Sequence, residues 1–143
     1  MKYTELTISQ YDQFKALLES TDGVSHRSAD GYEKIEAYLE RNKGHSFAAF
    51  DGNELIGCAL CGHDGRRGYL QHVMVKKEYR EKGIGKKLVD LCLDTLENVG
   101  ILKTHIDVFK TNDLANTYWS KREWILRDDI NRYSFNKSTN SNI

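Results

Sequence analysis

Proline is absent from the 143-residue chain, so the breaks between its elements fall to Gly, Asn, Asp and Ser rather than to a fixed pyrrolidine ring. Long apolar runs are absent too. None approaches the roughly 18 residues that a membrane-spanning helix needs, and the N-terminal MKYTELTISQYDQF lacks the apolar core of an export signal. Net charge is missing as well: 21 Lys and Arg balance 21 Asp and Glu, which argues against a general nucleic-acid binder. Cysteine is scarce, at three residues. Cys58 and Cys61 have C-x-x-C spacing, but CALCGHD reads as an apolar strand, on which residues three apart point to opposite faces. No second pair completes a zinc set, so no metal is expected, and the thiols read as separate and buried. Such thiols suit a reducing cytoplasm.

What is present is ordinary in bulk and uneven in detail. A hydrophobic fraction of 39% and a charged fraction of 29% are those of a soluble globular protein. The length is that of one domain, expected over residues 1–136, with the polar KSTNSNI of residues 137–143 frayed. The zero net charge conceals an asymmetry. Residues 1–65 hold eleven acidic and six basic side chains, whereas residues 66–87 hold eight basic and two acidic ones. A local positive field beside a neutral remainder suits a small polyanionic ligand.

The apolar pattern predicts two helices first, one through ISQYDQFKALLES ended by Asp22-Gly23, the other through DGYEKIEAYLERNKG ended by Gly44. The period then changes. SFAAF, the Asp51-Gly52-Asn53 turn and ELIGCALCG read as a hairpin, Asp64-Gly65 as the next turn, and YLQHVMV as a third antiparallel strand. Ile84, Leu88, Leu91, Cys92, Leu96 and Val99 share one helical face, and Gly100 closes that helix. THIDVF is a strand reached through this crossover, expected parallel to the one before it. NDLANTYWSKR is a further short helix with Asn112 as its N-cap, and WILR and INRYSF read as a closing pair of strands. The fold class is therefore α/β with a mixed, mostly antiparallel sheet.

Between the third strand and the long helix stands REKGIGKK, two glycines among four cations. Backbone N–H groups in the first turn of a helix lack intrahelical partners, and the helix dipole adds positive charge there. Glycine lets that backbone approach a phosphate. A nucleotide P-loop fails, because Lys87 follows Gly85-Lys86 and Arg80 replaces the earlier glycine; a dinucleotide fingerprint fails, because Leu88 stands at its third glycine. What remains is R-x-x-G-x-G, Arg80-Glu81-Lys82-Gly83-Ile84-Gly85. With VMVKKEY before it and Asn112 and Ala115 on a short helix after the next strand, it resembles the acyl-CoA-binding motif of the GNAT superfamily of N-acetyltransferases.

That resemblance implies helices on both sheet faces and a V-shaped splay between the third meander strand and the parallel strand, where the co-substrate acetyl-CoA enters. It implies that Val73 and Val75 pair through their backbone with the pantetheine arm. The amides of Arg80, Glu81, Lys82, Gly83, Ile84, Gly85 and Lys86 would cradle the pyrophosphate, and Asn112 would contact the pantetheine. Lys121 could reach the outlying phosphate or simply face solvent. The implied activity is direct acetyl transfer to an amine, of a small molecule or a protein. A non-catalytic acyl-CoA-binding module on the same fold is the alternative, and a basic surface that docks an acidic protein is a third reading. A homodimer is compatible with the sequence, and nothing in it argues for one.

The chemistry requires an amine that loses a proton, a polarised thioester carbonyl and a stabilised thiolate. The backbone N–H of Val73 can polarise the carbonyl. Family members often carry a tyrosine where this chain has Trp119, whose indole does not titrate usefully. Tyr118 one position earlier, another group or water then supplies the acid. Many relatives place a glutamate where this chain has Tyr69. His72, on the same strand, is the candidate base, its side chain being of the type that titrates near neutrality. Glu123 stands where a glycine is usual, so a positive φ there would make Glu123→Gly stabilising.

Overall fold

The computed structural model describes all 143 residues. They divide into two compact units, Met1–Asp107 and Val108–Ile143. The first unit contains a five-stranded sheet in the order β1-β2-β3-β4-β5. Its strands are β1 (Lys2–Glu5), β2 (Phe47–Asp51), β3 (Glu54–His63), β4 (Gly68–Val75) and β5 (Thr104–Ile106), with helices α1 (Tyr11–Ser20), α2 (Tyr32–Arg41) and α3 (Ile84–Asn98). Every pairing is antiparallel except β4 with β5, the one that follows a crossover helix. No helix is long and apolar enough to cross a membrane.

The near-continuous apolar run of β3 marks the strand that is covered on both faces. On one face, Phe14, Leu17 and Leu18 of α1 and Ile35 of α2 pack with Cys58 and Leu60 of β3 and Met74 of β4. Burying side chains of this size stabilises by about 1.5–3 kcal/mol each. On the other face α3 lies so close that a Cβ on Gly57 would sit 3.3 Å from Leu88, and one on Gly68 2.6 Å from Leu96. Cys58 belongs to the α1 face, whereas Cys61 meets the Cys92 thiol of α3. The strand alternation expected of the C-x-x-C pair is therefore observed, with all three thiols free and buried.

Several turns follow their sequence signals. Asp64 accepts the amides of Arg66 and Arg67, both at 2.8 Å, and closes the β3–β4 hairpin. Gly100 takes φ 84 just beyond α3. Other expectations are corrected. Residues 2–5, read only for an export signal, form the edge strand β1 on β2. In the second unit α4 (Asp113–Ser120) forms as expected, but WILR and INRYSF form no strands. Alternating apolar residues become a strand only against a ladder partner, and these segments pair with none; Arg127 forms a bidentate pair with Asp129 at 2.9 and 3.1 Å. Glu123 does not adopt positive φ, so Glu123→Gly has no strain to relieve.

Candidate active site

β5 is paired with β4 only at Gly68, Tyr69 and Leu70. From Gln71 to Val75, β4 stays paired with β3 but has no strand paired to it on the β5 side. Pairing between β4 and β5 therefore stops after three residues. The same stretch contains an irregularity: Leu60 and Cys58, two apart on β3, face Gln71 and Met74, three apart on β4. One extra residue is thus inserted in β4, a bulge of the kind that re-aims a side chain or frees a backbone group. His72 lies inside it at φ 48, one of two non-glycine residues of the chain with positive φ.

The other is Glu81, at φ 62. Between the end of β4 and α3 the chain makes a short 3-10 turn at Lys77–Tyr79, then Glu81 and Gly83 (φ 82) turn it into the helix. Gly83 is the N-cap of α3 and provides no side-chain hydrogen bond to it, so the leading amides of Ile84 and Gly85 are not capped by a side chain. A Cβ on Gly83 would meet nothing within 4 Å, so the space beside that residue is open. Both features fit a bound diphosphate. Replacing Glu81 with Asn, which tolerates the left-handed region better, should raise the melting temperature by the equivalent of about 0.5–1 kcal/mol; a lower melting temperature in a thermal scan would show that the Glu81 side chain matters more than its backbone.

The basic side chains around this turn are largely committed to the protein. Arg80 donates from Nε to the Val75 carbonyl at 2.9 Å and folds the loop back on the end of β4. Lys76 pairs with Glu54, Lys86 lies 2.7 Å from Asp90, and the Lys82 ammonium stands 5.6 Å from the centre of the Tyr79 ring. The Tyr79 hydroxyl donates to Asp51 at 2.6 Å, and this bond pushes its pKa up to about 12. Four cations of the stretch that reads in sequence as a free cationic patch are thus engaged with neighbouring groups of the protein.

His72 is the one predicted catalytic side chain in the first unit. Its Nε2 lies 2.7 Å from Oδ1 of Asp30, a residue the sequence reading passed over, and the two side chains are 13% and 8% exposed. Its ring stands 6.3 Å from that of Phe14, so it points to the α1 face of the sheet. In the second unit the side-chain oxygen of Asn112 accepts the Ala115 amide at 3.1 Å and caps α4, as its position suggested. Tyr118 lies on α4 with the Arg122 guanidinium 3.5 Å from its ring centre, and the rings of Trp119 and Trp124 meet at 4.9 Å. The cysteines offer no nucleophile. Burial pushes the Cys58 thiol up to about 12, and the hydrogen bond with Cys61 together with burial raises Cys92 further.

Residues 11–123 match the family model described as the acetyltransferase (GNAT) family. The chain belongs to the GNAT acetyltransferase family. Among curated proteins it is similar to N-alpha-acetyltransferase 30 of Schizosaccharomyces pombe, 31% identical over 90 aligned positions that cover 57% of this chain and 57% of that protein. It thus spans little more than half the length of the curated relatives it matches. Among solved structures it resembles the PaiA N-acetyltransferase of Thermoplasma acidophilum in complex with coenzyme A, with TM-score 0.75 and 20% identity over 84% of this chain and 86% of that one. It also resembles the ribosomal-protein-alanine N-acetyltransferase of Brucella melitensis, with TM-score 0.72 and 20% identity over 94% and 97%. These likenesses show the GNAT fold, with its mixed sheet and helices on both faces.

Proposed function

We propose that this GNAT chain binds acetyl-CoA along the open flank of β4 and at the start of α3, and transfers its acetyl group directly to an amine. The observation that carries the reading is the succession of two backbone features: β4 with no strand paired on its β5 side from Gln71 to Val75, followed along the chain by the uncapped helix start at Gly83. In this reading Val73 and Val75 pair with the pantetheine arm, and the Val73 amide faces the thioester carbonyl. The amides from Arg80 to Lys86 hold the diphosphate. Acetyl-CoA supplies the activated acyl group.

His72 is the base. Buried, protonated thiols support direct attack by the amine over an acyl-cysteine. The leaving thiolate takes its proton from water. Similar proteins are named for transfer to a protein alanine or to N-alpha amines, which supports an amine acceptor and leaves its size open. Three free thiols suit a reducing compartment. The test is release of free CoA thiol from acetyl-CoA across a panel of peptide N-termini, polyamines and amino sugars. Amine-dependent release supports the reading; CoA binding with no turnover on any amine would leave a binding module instead.

A further inference from the structure

We propose that Asp30 is the positioning residue for His72: it holds the imidazole in the Nε2–H form, so that Nδ1 is the nitrogen that accepts the proton of the incoming ammonium. The proposal rests on the acetyl-transfer reading above and adds to it a residue, a tautomer and a proton route.

Asp30 ends a 3-10 turn, Ser28–Asp30, in the connection between α1 and α2, 42 residues away from His72 in sequence. It is fixed from several directions. Its Oδ2 accepts the Arg27 amide at 2.9 Å, and its backbone carbonyl accepts the Tyr11 hydroxyl of α1 at 2.8 Å. Only Oδ1 is left for His72. The His72 backbone is held in turn by the β4 bulge and by the Cys58 thiol of β3, which donates to its carbonyl at 3.8 Å. Buried, doubly anchored and at positive φ, the imidazole has little freedom to turn.

The groups packed around the pair are Tyr11 and Phe14 from α1, Cys58 from β3 and, in the loop before Asp30, His26. Burial alone would push the Asp30 carboxyl up. The hydrogen bonds from His72 and from the Arg27 amide counter it and keep the carboxyl below its usual range. Asp30 is therefore a carboxylate at neutral pH, and a carboxylate only accepts. The proton in the 2.7 Å bond belongs to Nε2, and a neutral imidazole then has its lone pair on Nδ1, which has no hydrogen bond within the protein.

The step balances as follows. Nδ1 takes one proton from R–NH3+. The freed amine lone pair forms the C–N bond at the thioester carbonyl, and the C–S bond breaks. The second N–H proton passes through water to the CoA thiolate, and the imidazolium returns its proton to solvent. The products are the amide, CoA thiol and one proton.

Asp30→Asn tests the assignment sharply, because Oδ2 must go on accepting from Arg27. The Asn oxygen takes that place, which turns the NH2 group toward Nε2 and demands a lone pair there. The tautomer should invert to Nδ1–H. Long-range 1H–15N spectra of the histidine side chains should show Nε2–H in the wild type and Nδ1–H in D30N. The turnover number should fall about 100-fold, near the low end of what a positioned base contributes, with KM for acetyl-CoA unchanged. An Nδ1–H wild type overturns the proposal and needs no variant to fold. So does a folded D30N that keeps its turnover within about threefold, given that the wild type is active. A wild type that acetylates no amine sinks the underlying reading instead, and the two failures are told apart by the wild-type assay alone.

Discussion

His72→Ala should lower the rate of amine acetylation by the order of 1000-fold, mid-range for loss of a general base, and should flatten the fall in rate on acidification. An imidazole removes a proton only when neutral, so a rate that depends on one falls on acidification. Without it, that dependence should go, and acetyl-CoA binding should stay, because nothing in the open flank of β4 or the start of α3 uses the ring. The substitution also strips the buried Asp30 carboxylate of its hydrogen-bond donor, and leaving such a group unsatisfied costs about 1–3 kcal/mol or more. His72→Gln separates the two effects: the Gln amide can still donate to Asp30 but cannot act as a base. The expectation is that H72Q is nearly as stable as wild type and nearly as inactive as H72A. A wild-type pH–rate profile in either folded variant would remove His72 from the chemistry.

Gly85→Asp should weaken CoA binding by at least about 100-fold without destabilising the protein. Gly85 is the second residue of α3, and the first turn of that helix holds no acidic side chain. An Asp there complements the helix dipole by about 0.3–1 kcal/mol and replaces the residue least suited to a helix after proline. Thermal stability should hold or rise. The same carboxylate faces a diphosphate if the amides of Ile84, Gly85 and Lys86 hold one. Two unit charges 4 Å apart repel by about 4 kcal/mol at an effective dielectric of about 20, more than the 2.7 kcal/mol that a 100-fold loss represents. Gly85→Asn has nearly the same bulk and no charge, so it should lose much less. Binding of CoA to G85D within about threefold of wild type would place the diphosphate elsewhere.

These variants divide neatly by whether their sites can be read from sequence. The helix start at Gly83 is local information: glycines between a strand and an amphipathic helix have a backbone meaning that does not depend on the rest of the chain, and the structure puts Gly83 at φ 82 at the N-cap. The three-stranded meander and the parallel β5 were legible for the same reason, each being fixed by apolar period and turn chemistry over a few residues. Asp30 was not, because SAD looks like any exposed turn until α1 and β4 bring it to His72. The positive φ of His72 and Glu81 was also hidden, since it follows from a bulge and a loop rather than from residue type. WILR and INRYSF show the opposite case: their pattern is compatible with strands, but pairing requires a partner that a pattern does not name, and neither segment forms one.

The eight cations of residues 66–87 carry a related lesson. Counted along the chain they suggest an anion trap made of side chains. In space, Lys76, Arg80 and Lys86 are each bound to a neighbouring oxygen, and the glycine-bearing backbone is what stays presented. Binding that depends on amides and a helix dipole should survive the loss of any single one of these lysines far better than the loss of Gly85.

The most direct measurement is a titration of 15N-labelled protein with CoA, followed by backbone amide shifts, beside the same titration with pantetheine, which lacks the diphosphate. CoA should move the amides of Gly83, Ile84 and Gly85 together with those of Val73 and Val75, whereas pantetheine should move only the β4 pair. Saturable CoA binding that leaves the start of α3 unmoved, or no shift at any of these amides, would contradict the account.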